Sequence, residues 1–404
     1  MYAFTKRSLL ILLAACAGLW VGCDDVEEGS TVYTPEQRLV IAEEWSEDFV
    51  DVPDYANPSG LPAHFRQFGF TRLSIPERYK VHLGRALFYD TRLSLNEDIS
   101  CGSCHRQESG FADVEAFSTG TGGSLTSRNS QSINNIRAYY GDDGSGFFWD
   151  ARATSLQGQA TSSMANPEEM GMSLEAVQAR LSAIPAYRLL FQKAYPDDAP
   201  AMRVEHISDA LAAFTRNVTS TGSRFDQEVD AHVRTLPKEQ VRFGEGLVAP
   251  AFTGFSALEN AGKSLYLQNC ASCHSSQLPT RLSPRNNGLY ATGSYPDRGV
   301  GELTNSIDDA GFFKTPQLRN VALTAPYMHD GSMRTLEEVI EHYSTGIEPH
   351  FALSTELRLR TEELPTGKRG FNFTEEEKTQ LIAFLHTLTD TELVTSSEYS
   401  DPNL

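Results

Sequence analysis

Two pentapeptides in this 404-residue chain have the composition of a reactive centre: Cys101-Gly102-Ser103-Cys104-His105 and Cys270-Ala271-Ser272-Cys273-His274. Two thiols at this spacing lie on one helical turn, where they reach the two vinyl groups of a single haem and form thioethers. The adjacent imidazole is then delivered beneath the iron as its proximal ligand. With six Cys and ten His in the chain, random placement gives on the order of 0.002 such strings per chain. A Cys₄ zinc site or a pair of disulfides competes for the same thiols. Neither makes use of the His that follows both pairs. The spacing therefore predicts two covalent c-type haems, one held by Cys101, Cys104 and His105, the other by Cys270, Cys273 and His274.

The remaining two cysteines belong to a different feature. Lys6 and Arg7 precede an apolar stretch from Ser8 to Gly22, and the acidic run Asp24-Asp25-Val26-Glu27-Glu28 follows it. This order predicts an export signal over 1–23, too short for a comfortable membrane span. Small residues precede both Cys16 and Cys23, as in a bacterial lipoprotein cleavage box. Cys23 fits better, because the polar chain starts directly after it, and plain secretion is the alternative. A periplasmic protein with a lipid anchor at Cys23 is the expectation. The net charge of −19, from 34 Lys+Arg and 53 Asp+Glu, argues against a nucleic-acid partner and suits a basic protein.

The elements that must position the two strings read as helices. Ser74-Ile75-Pro76-Glu77 has capping-box form and leads into Tyr79, Leu83 and Leu87 at helical spacing. Residues 24–70 read as an N-terminal arm, and Ser118 to Arg128 as a Gly, Ser and Thr-rich loop. Asn166-Pro167-Glu168-Glu169 has the form of a helix start, and Ile207, Leu211 and Phe214 line one face of a helix near Val204–Arg216. From about Phe225 to Thr253 the pattern breaks down, which places a domain boundary there. Ser256-Ala257-Leu258-Glu259 heads the helix that delivers Cys270. Thr335-Leu336-Glu337-Glu338 and Thr374-Glu375-Glu376-Glu377 open two more. No alternating strand pattern of any length is present. The fold class predicted is mainly α, with two cytochrome c-like helical domains (71–240 and 241–404), long loops and little β. The last helix is expected to pack back on the first domain.

Across 83–388 the chain resembles the bacterial di-haem cytochrome c peroxidases, within the wider group that includes the methylamine-utilisation enzyme MauG. The resemblance is carried by Leu83-Gly84-Arg85, Leu87-Phe88-Tyr89-Asp90, both haem strings, Arg128-Asn129, and Phe148-Trp149-Asp150-Ala151-Arg152. Gln159, Glu169-Met170, Lys314-Thr315-Pro316-Gln317-Leu318-Arg319-Asn320 and Thr324-Ala325-Pro326-Tyr327-Met328-His329-Asp330-Gly331 complete it. It implies that the N-terminal haem meets peroxide, that the C-terminal haem passes electrons, and that calcium lies between the domains. Asn129 and the backbone carbonyls of Thr324 and Pro326 match the calcium ligands, hard oxygen donors suited to that ion.

Three residues near the Asp330-Gly331 turn could coordinate the C-terminal iron: Met328, His342 and Tyr343. Leu336, Val339, Ile340 and Tyr343 fall at i, i+3, i+4 and i+7 on one apolar face, with His342 about 100° away on the polar face. Alignment to the family puts its usual Met ligand at position 343. Tyr343 is therefore the expected ligand, as in MauG, with Met328 as the alternative; a phenolate would lower the potential relative to a thioether. At the N-terminal haem, ordinary members carry a His in the glycine-rich loop where Thr121 stands here. A threonine hydroxyl is a poor iron ligand, so an open five-coordinate iron is expected, with capping by another loop residue the alternative. Glu169 matches the family's distal carboxylate and Gln159 its neighbouring amide, a pair suited to moving a proton between the two oxygens of peroxide. Ser163 stands where MauG has Pro. Trp149 matches the indole that relays electrons between the haems.

Three functions follow from these matches. The first is reduction of hydrogen peroxide to water with electrons from a small cytochrome c or cupredoxin. The second is a MauG-like oxidase that stores two oxidising equivalents across both haems and Trp149 and spends them on a protein side chain. The third, a plain electron carrier, leaves Gln159 and Glu169 without a purpose. A homodimer is a further expectation, though no residue of the sequence specifies the oligomeric state.

Overall fold

The computed structural model describes residues 33–55, 61–62, 64–65, 73–139, 146–237, 251–274 and 283–404. The export signal and both N-terminal cysteines lie outside the described residues. In the first half of the chain the helices are α1 (Pro35–Ala42), α2 (Ile75–Tyr89), α3 (Cys101–Cys104), α4 (Leu156–Ala165), α5 (Leu174–Ser182), α6 (Pro185–Ala194), α7 (Val204–Asn217) and α8 (Arg224–Thr235). In the second they are α9 (Ala257–Asn269), α10 (Ala271–His274), α11 (Val300–Thr304), α12 (Leu336–Glu341), α13 (Thr355–Arg360) and α14 (Glu375–His386). Strand structure among the described residues amounts to two short antiparallel pairs, Pro284–Arg285 with Phe313–Lys314 and Glu362–Glu363 with Arg369–Gly370. The fold is mainly α, as the sequence predicts.

The four capping boxes read from the sequence all form. Ser74, Ser256, Thr335 and Thr374 start α2, α9, α12 and α14, each with the reciprocal Glu three residues on. Such a cap stabilises a helix by about 1 kcal/mol and fixes where it begins.

Each half is built on one close helix crossing. In the first, a side chain on Gly84 of α2 would collide with the Ala210 carbonyl of α7. In the second, a side chain on Gly262 of α9 would collide with the Gln380 carbonyl of α14. Only glycine lets the two backbones approach that far. Around the first crossing pack Leu83, Leu87, Phe191 and Phe214, joined by Trp45, Phe49 and Tyr55 of the arm. Around the second pack Tyr266, Leu336, Ile340, Leu381 and Phe384.

Three local expectations are corrected. The expected breakdown from Phe225 is instead the regular helix α8, whose Phe225, Val229 and Val233 face the second core at i, i+4 and i+8. The side of the molecule served therefore changes before α8; residues 238–250 lie outside the described residues. Asn166-Pro167-Glu168-Glu169 does not start a helix but ends α4 and turns, with Gly171 at φ +68° and α5 beginning only at Leu174. The segment that crosses back onto the first domain is the tail after α14 rather than α14, which packs on α9. Gln107 Nε2 donates to the carbonyls of Leu393 and Ser396 (2.8 Å each), and Arg85 Nε to that of Ser400 (2.7 Å).

Candidate two-haem site

Cys101 and Cys104 occupy the single turn α3, and the His105 amide closes it onto the Cys101 carbonyl at 2.9 Å. His105 Nδ1 lies 3.1 Å from the Phe111 carbonyl and 3.3 Å from Ser130 Oγ. His274 Nδ1 lies 3.0 Å from the Pro316 carbonyl. A carbonyl only accepts, so each Nδ1 carries the proton and each Nε2 is left bare, the arrangement an iron ligand requires. Burial lowers the basicity of both imidazoles and keeps them neutral. None of these four cysteines is paired in a disulfide, which leaves each sulfur available for a thioether. Among the described residues no group of three or more His, Cys, Asp or Glu converges on one metal position, so the two C-x-x-C pairs do not assemble a Cys₄ zinc site.

Both Cys pairs and both proximal His line one cavity of about 590 Å³ that runs through both halves. The walls suit an apolar macrocycle with anionic edges. Arg128, Lys314 and Arg319 also line it. So does His329, stacked on Phe313 at 3.7 Å, whose buried Nε2 has no partner among the described residues. These residues fit two haem c groups.

Glu169 and Gln159 both line the cavity at its N-terminal end. Gln159 and Ser163 are i and i+4 on α4, and Gln159 Nε2 donates to Ser163 Oγ at 3.1 Å. Asn166, which caps the end of α4, donates from Nδ2 to Glu169 Oε1 at 2.9 Å. The turn that replaces the predicted helix start is what brings Glu169 to the same wall as Gln159. Asn166 holds the carboxylate, a role the sequence reading missed although an Asn-Pro step is a recognisable turn signal. Thr121 does not line the cavity. Its hydroxyl donates to Asp98 Oδ1 at 2.8 Å and accepts from the Asn96 amide at 3.3 Å.

At the other end, Leu336, Val339, Ile340 and Tyr343 all line the cavity, as their helical spacing predicts. After Glu341 the backbone widens into a π-helical turn, His342–Gly346. His342 is buried, not on a polar face; it does not line the cavity, and its Nε2 donates to the carbonyl of Asn287 at 3.1 Å. Tyr343 and Met328 remain. Met328 sits at φ +72°, with its Sδ accepting from Asn287 Nδ2 at 3.4 Å. Burial pushes the Tyr343 phenol up to about 12, partly offset by Asn287. Asn287 thus touches every candidate ligand, and no motif pointed to it.

Trp149 lies in the seam. Its Nε1 donates to the Asn129 carbonyl at 2.8 Å, and its own carbonyl accepts from the Lys314 amide at 2.6 Å. Asn129 precedes Ser130, which faces His105, and Lys314 leads through Thr315 to Pro316, which faces His274. The indole is therefore joined on both sides to the segments that orient the two proximal imidazoles. The Asn129 amide donates to the His329 carbonyl at 2.8 Å, and its side-chain Nδ2 donates to the Glu115 carbonyl at 3.0 Å. Asn129, Thr324 and Pro326 all line the cavity. Arg128 bridges the halves, with Nη1 2.6 Å from Asp150 and Nε 2.6 Å from Asp297.

Two C-x-x-C-H turns opening into one helical cavity define a class: a two-haem c-type oxidoreductase. The di-haem cytochrome c peroxidase family model matches residues 78–233. The chain is 35% identical over 311 residues to the methylamine utilization protein MauG of Methylorubrum extorquens, covering 76% of this chain and 78% of that protein. It is 29% identical to the cytochrome c551 peroxidase of Nitrosomonas europaea, covering 76% and 79%. Among solved structures it is similar to a MauG-like protein associated with microbial copper homeostasis, with a TM-score of 0.65, 34% identity, and coverage of 80% and 93%. The chain belongs to the di-haem cytochrome c peroxidase family, and is an oxidoreductase of the peroxidase type.

Proposed function

We propose that this protein reduces hydrogen peroxide to water at the Cys101–His105 site, with electrons from a small redox protein entering through the Cys270–His274 site. The balance is H₂O₂ + 2e⁻ + 2H⁺ → 2H₂O, the electrons coming singly from two donor molecules. Haem iron supplies the peroxide-binding and electron-transfer chemistry. His105 and His274 would hold the irons from below through Nε2. Glu169, oriented by Asn166, takes the proton of incoming peroxide and returns it to the departing oxygen; Gln159 orients the peroxide beside it. Trp149 carries electrons across the seam. Asn129, with the Thr324 and Pro326 carbonyls, would hold a calcium ion there. Export by the 1–23 segment, with a lipid at Cys23, places the enzyme where such donors circulate.

The single observation that carries this reading is the pair Glu169 and Gln159 in the wall of the first site, with Asn166 holding the carboxylate, the groups that proton transfer to peroxide needs. At the family's loop position, Thr121 points its side chain at Asp98 instead of into the cavity, so peroxide meets the first site in the fully oxidised protein.

A second reading, oxidation of a protein side chain, is favoured by Tyr343 in the wall of the second site and by Thr121, turned away from the first, together with the family match to MauG. Mixing oxidised protein with peroxide and reduced cytochrome c decides between them. Sustained cytochrome oxidation supports the peroxidase; a rapid haem change with almost no cytochrome oxidised supports the second reading.

A further inference from the structure

Asp98 belongs to no motif singled out in the sequence, yet its carboxylate accepts hydrogen bonds from two successive residues of the glycine-rich loop. Its Oδ1 accepts from the Thr121 hydroxyl at 2.8 Å and from Ser94 Oγ at 3.3 Å. Its Oδ2 accepts from the Gly122 amide at 2.8 Å. Two oxygens of one carboxylate thus grip two successive loop residues, which fixes the loop's orientation as well as its distance. The Thr121 hydroxyl is occupied as donor and, through the Asn96 amide, as acceptor.

The grip extends to the catalytic wall. The Thr121 amide donates to the Glu169 carbonyl at 2.7 Å, and the Leu95 amide to the Met170 carbonyl at 2.8 Å. A side chain on Gly120 would collide with the Glu168 carbonyl, so loop and segment lie in direct backbone contact. Gly122 and Gly123, at φ +69° and +86°, give the loop the turn that this requires. The strip 94–98, the loop 120–123 and the segment 168–171 form one sewn layer, and Glu169 projects from its inner side.

We propose that Asp98 is a positioning residue, a latch that acts through Thr121 to hold the glycine-rich loop off the first haem site while fixing the Glu169 segment against it. The proposal rests on the peroxide-reducing reading of that site. Hydrogen bonds from the Gly122 amide and Thr121 hold the Asp98 carboxyl below the usual carboxylate range, so the latch is ionised at neutral pH. Asparagine replaces it only in part, because an amide nitrogen cannot accept from the Gly122 amide.

The test uses the fully oxidised holoenzyme and the variants D98A, T121V and T121S. T121V removes the hydroxyl at constant shape and T121S restores it, which keeps the test informative should D98A fold poorly. Amide exchange over Gly120–Gly123 is expected to be about tenfold faster in D98A and T121V, and that of T121S to match the parent. The rate constant for peroxide is expected to fall by about tenfold to a hundredfold in D98A and T121V and to recover in T121S, with covalent haem content unchanged. Unchanged exchange in both D98A and T121V overturns the latch. Faster exchange with an unchanged peroxide rate overturns the link to Glu169. A parent enzyme inert to peroxide when oxidised overturns the functional reading, while amide exchange still tests the latch by itself.

Discussion

The two haem sites share an attachment motif and differ on the opposite side. At the first, the side chain in the family's ligand position is turned outward and tied to an exposed carboxylate, while Glu169 and Gln159 face the cavity. At the second, both Tyr343 and Met328 face the cavity, over the apolar wall of Leu336, Val339 and Ile340. Among the described residues, one wall presents the proton-transfer groups Glu169 and Gln159, the other Tyr343 and Met328. The same five-residue string thus stands opposite two different sets of side chains, which is the basis of the roles proposed for the two sites. Trp149 is hydrogen-bonded to Asn129 and Lys314, in the segments that lead to the two proximal imidazoles.

The comparison can be broken most severely by removing one attachment. C101A/C104A is expected to lose the first haem and all reaction with peroxide while the second still reduces and reoxidises, checked by haem staining and absorbance. E169Q keeps the haem and the shape but loses the proton carrier, and the peroxide rate constant is expected to fall by roughly 10²–10⁴. T121H sharpens the contrast by giving the first site a ligand in the loop. It is expected to suppress the peroxide reaction of oxidised protein and to need one added electron to recover it. Y343M tests the second site alone: its potential is expected to rise by a sizeable part of the roughly 0.8 V that axial ligands span, with the first site's peroxide rate unchanged.

The smallest expected effect lies outside both sites. His82 is fully buried, stacked on Phe49 at 4.0 Å with Tyr55 Oη at 3.2 Å from Nδ1, and burial pushes it down to about 3. The unfolded chain binds that proton near pH 6.5, so stability is complete above that value and is lost as pH falls toward 3, by at most about 1.4 kcal/mol per pH unit. Because Phe49 and Tyr55 belong to the arm, the arm is expected to become protease-sensitive in acid before the rest of the first domain, and less steeply so in H82N.

Much of this was legible in the sequence because it rests on local chemistry. The haem strings, the four capping boxes and the apolar face ending in Tyr343 each depend on residues within one or two turns. What was not legible depends on partners far along the chain. Asn287 reaches Met328 and His342 from 41 and 55 residues away, and Asp98 reaches Thr121 from 23. No spacing rule connects such residues. The Asn166 segment was misread because Pro167 and the acidic pair suit a helix start as well as a turn, and only Gly171 in the left-handed region decides it. His342 was assigned to solvent from its helical spacing, but Asn287, 55 residues away, lies against it and accepts its hydrogen bond.

The most direct test of an open first site is electron paramagnetic resonance of the fully oxidised protein before and after one equivalent of peroxide. A high-spin ferric signal from the first haem that disappears on mixing, without any added reductant, is the predicted result. Two low-spin signals that peroxide leaves unchanged until an electron is supplied would contradict the account.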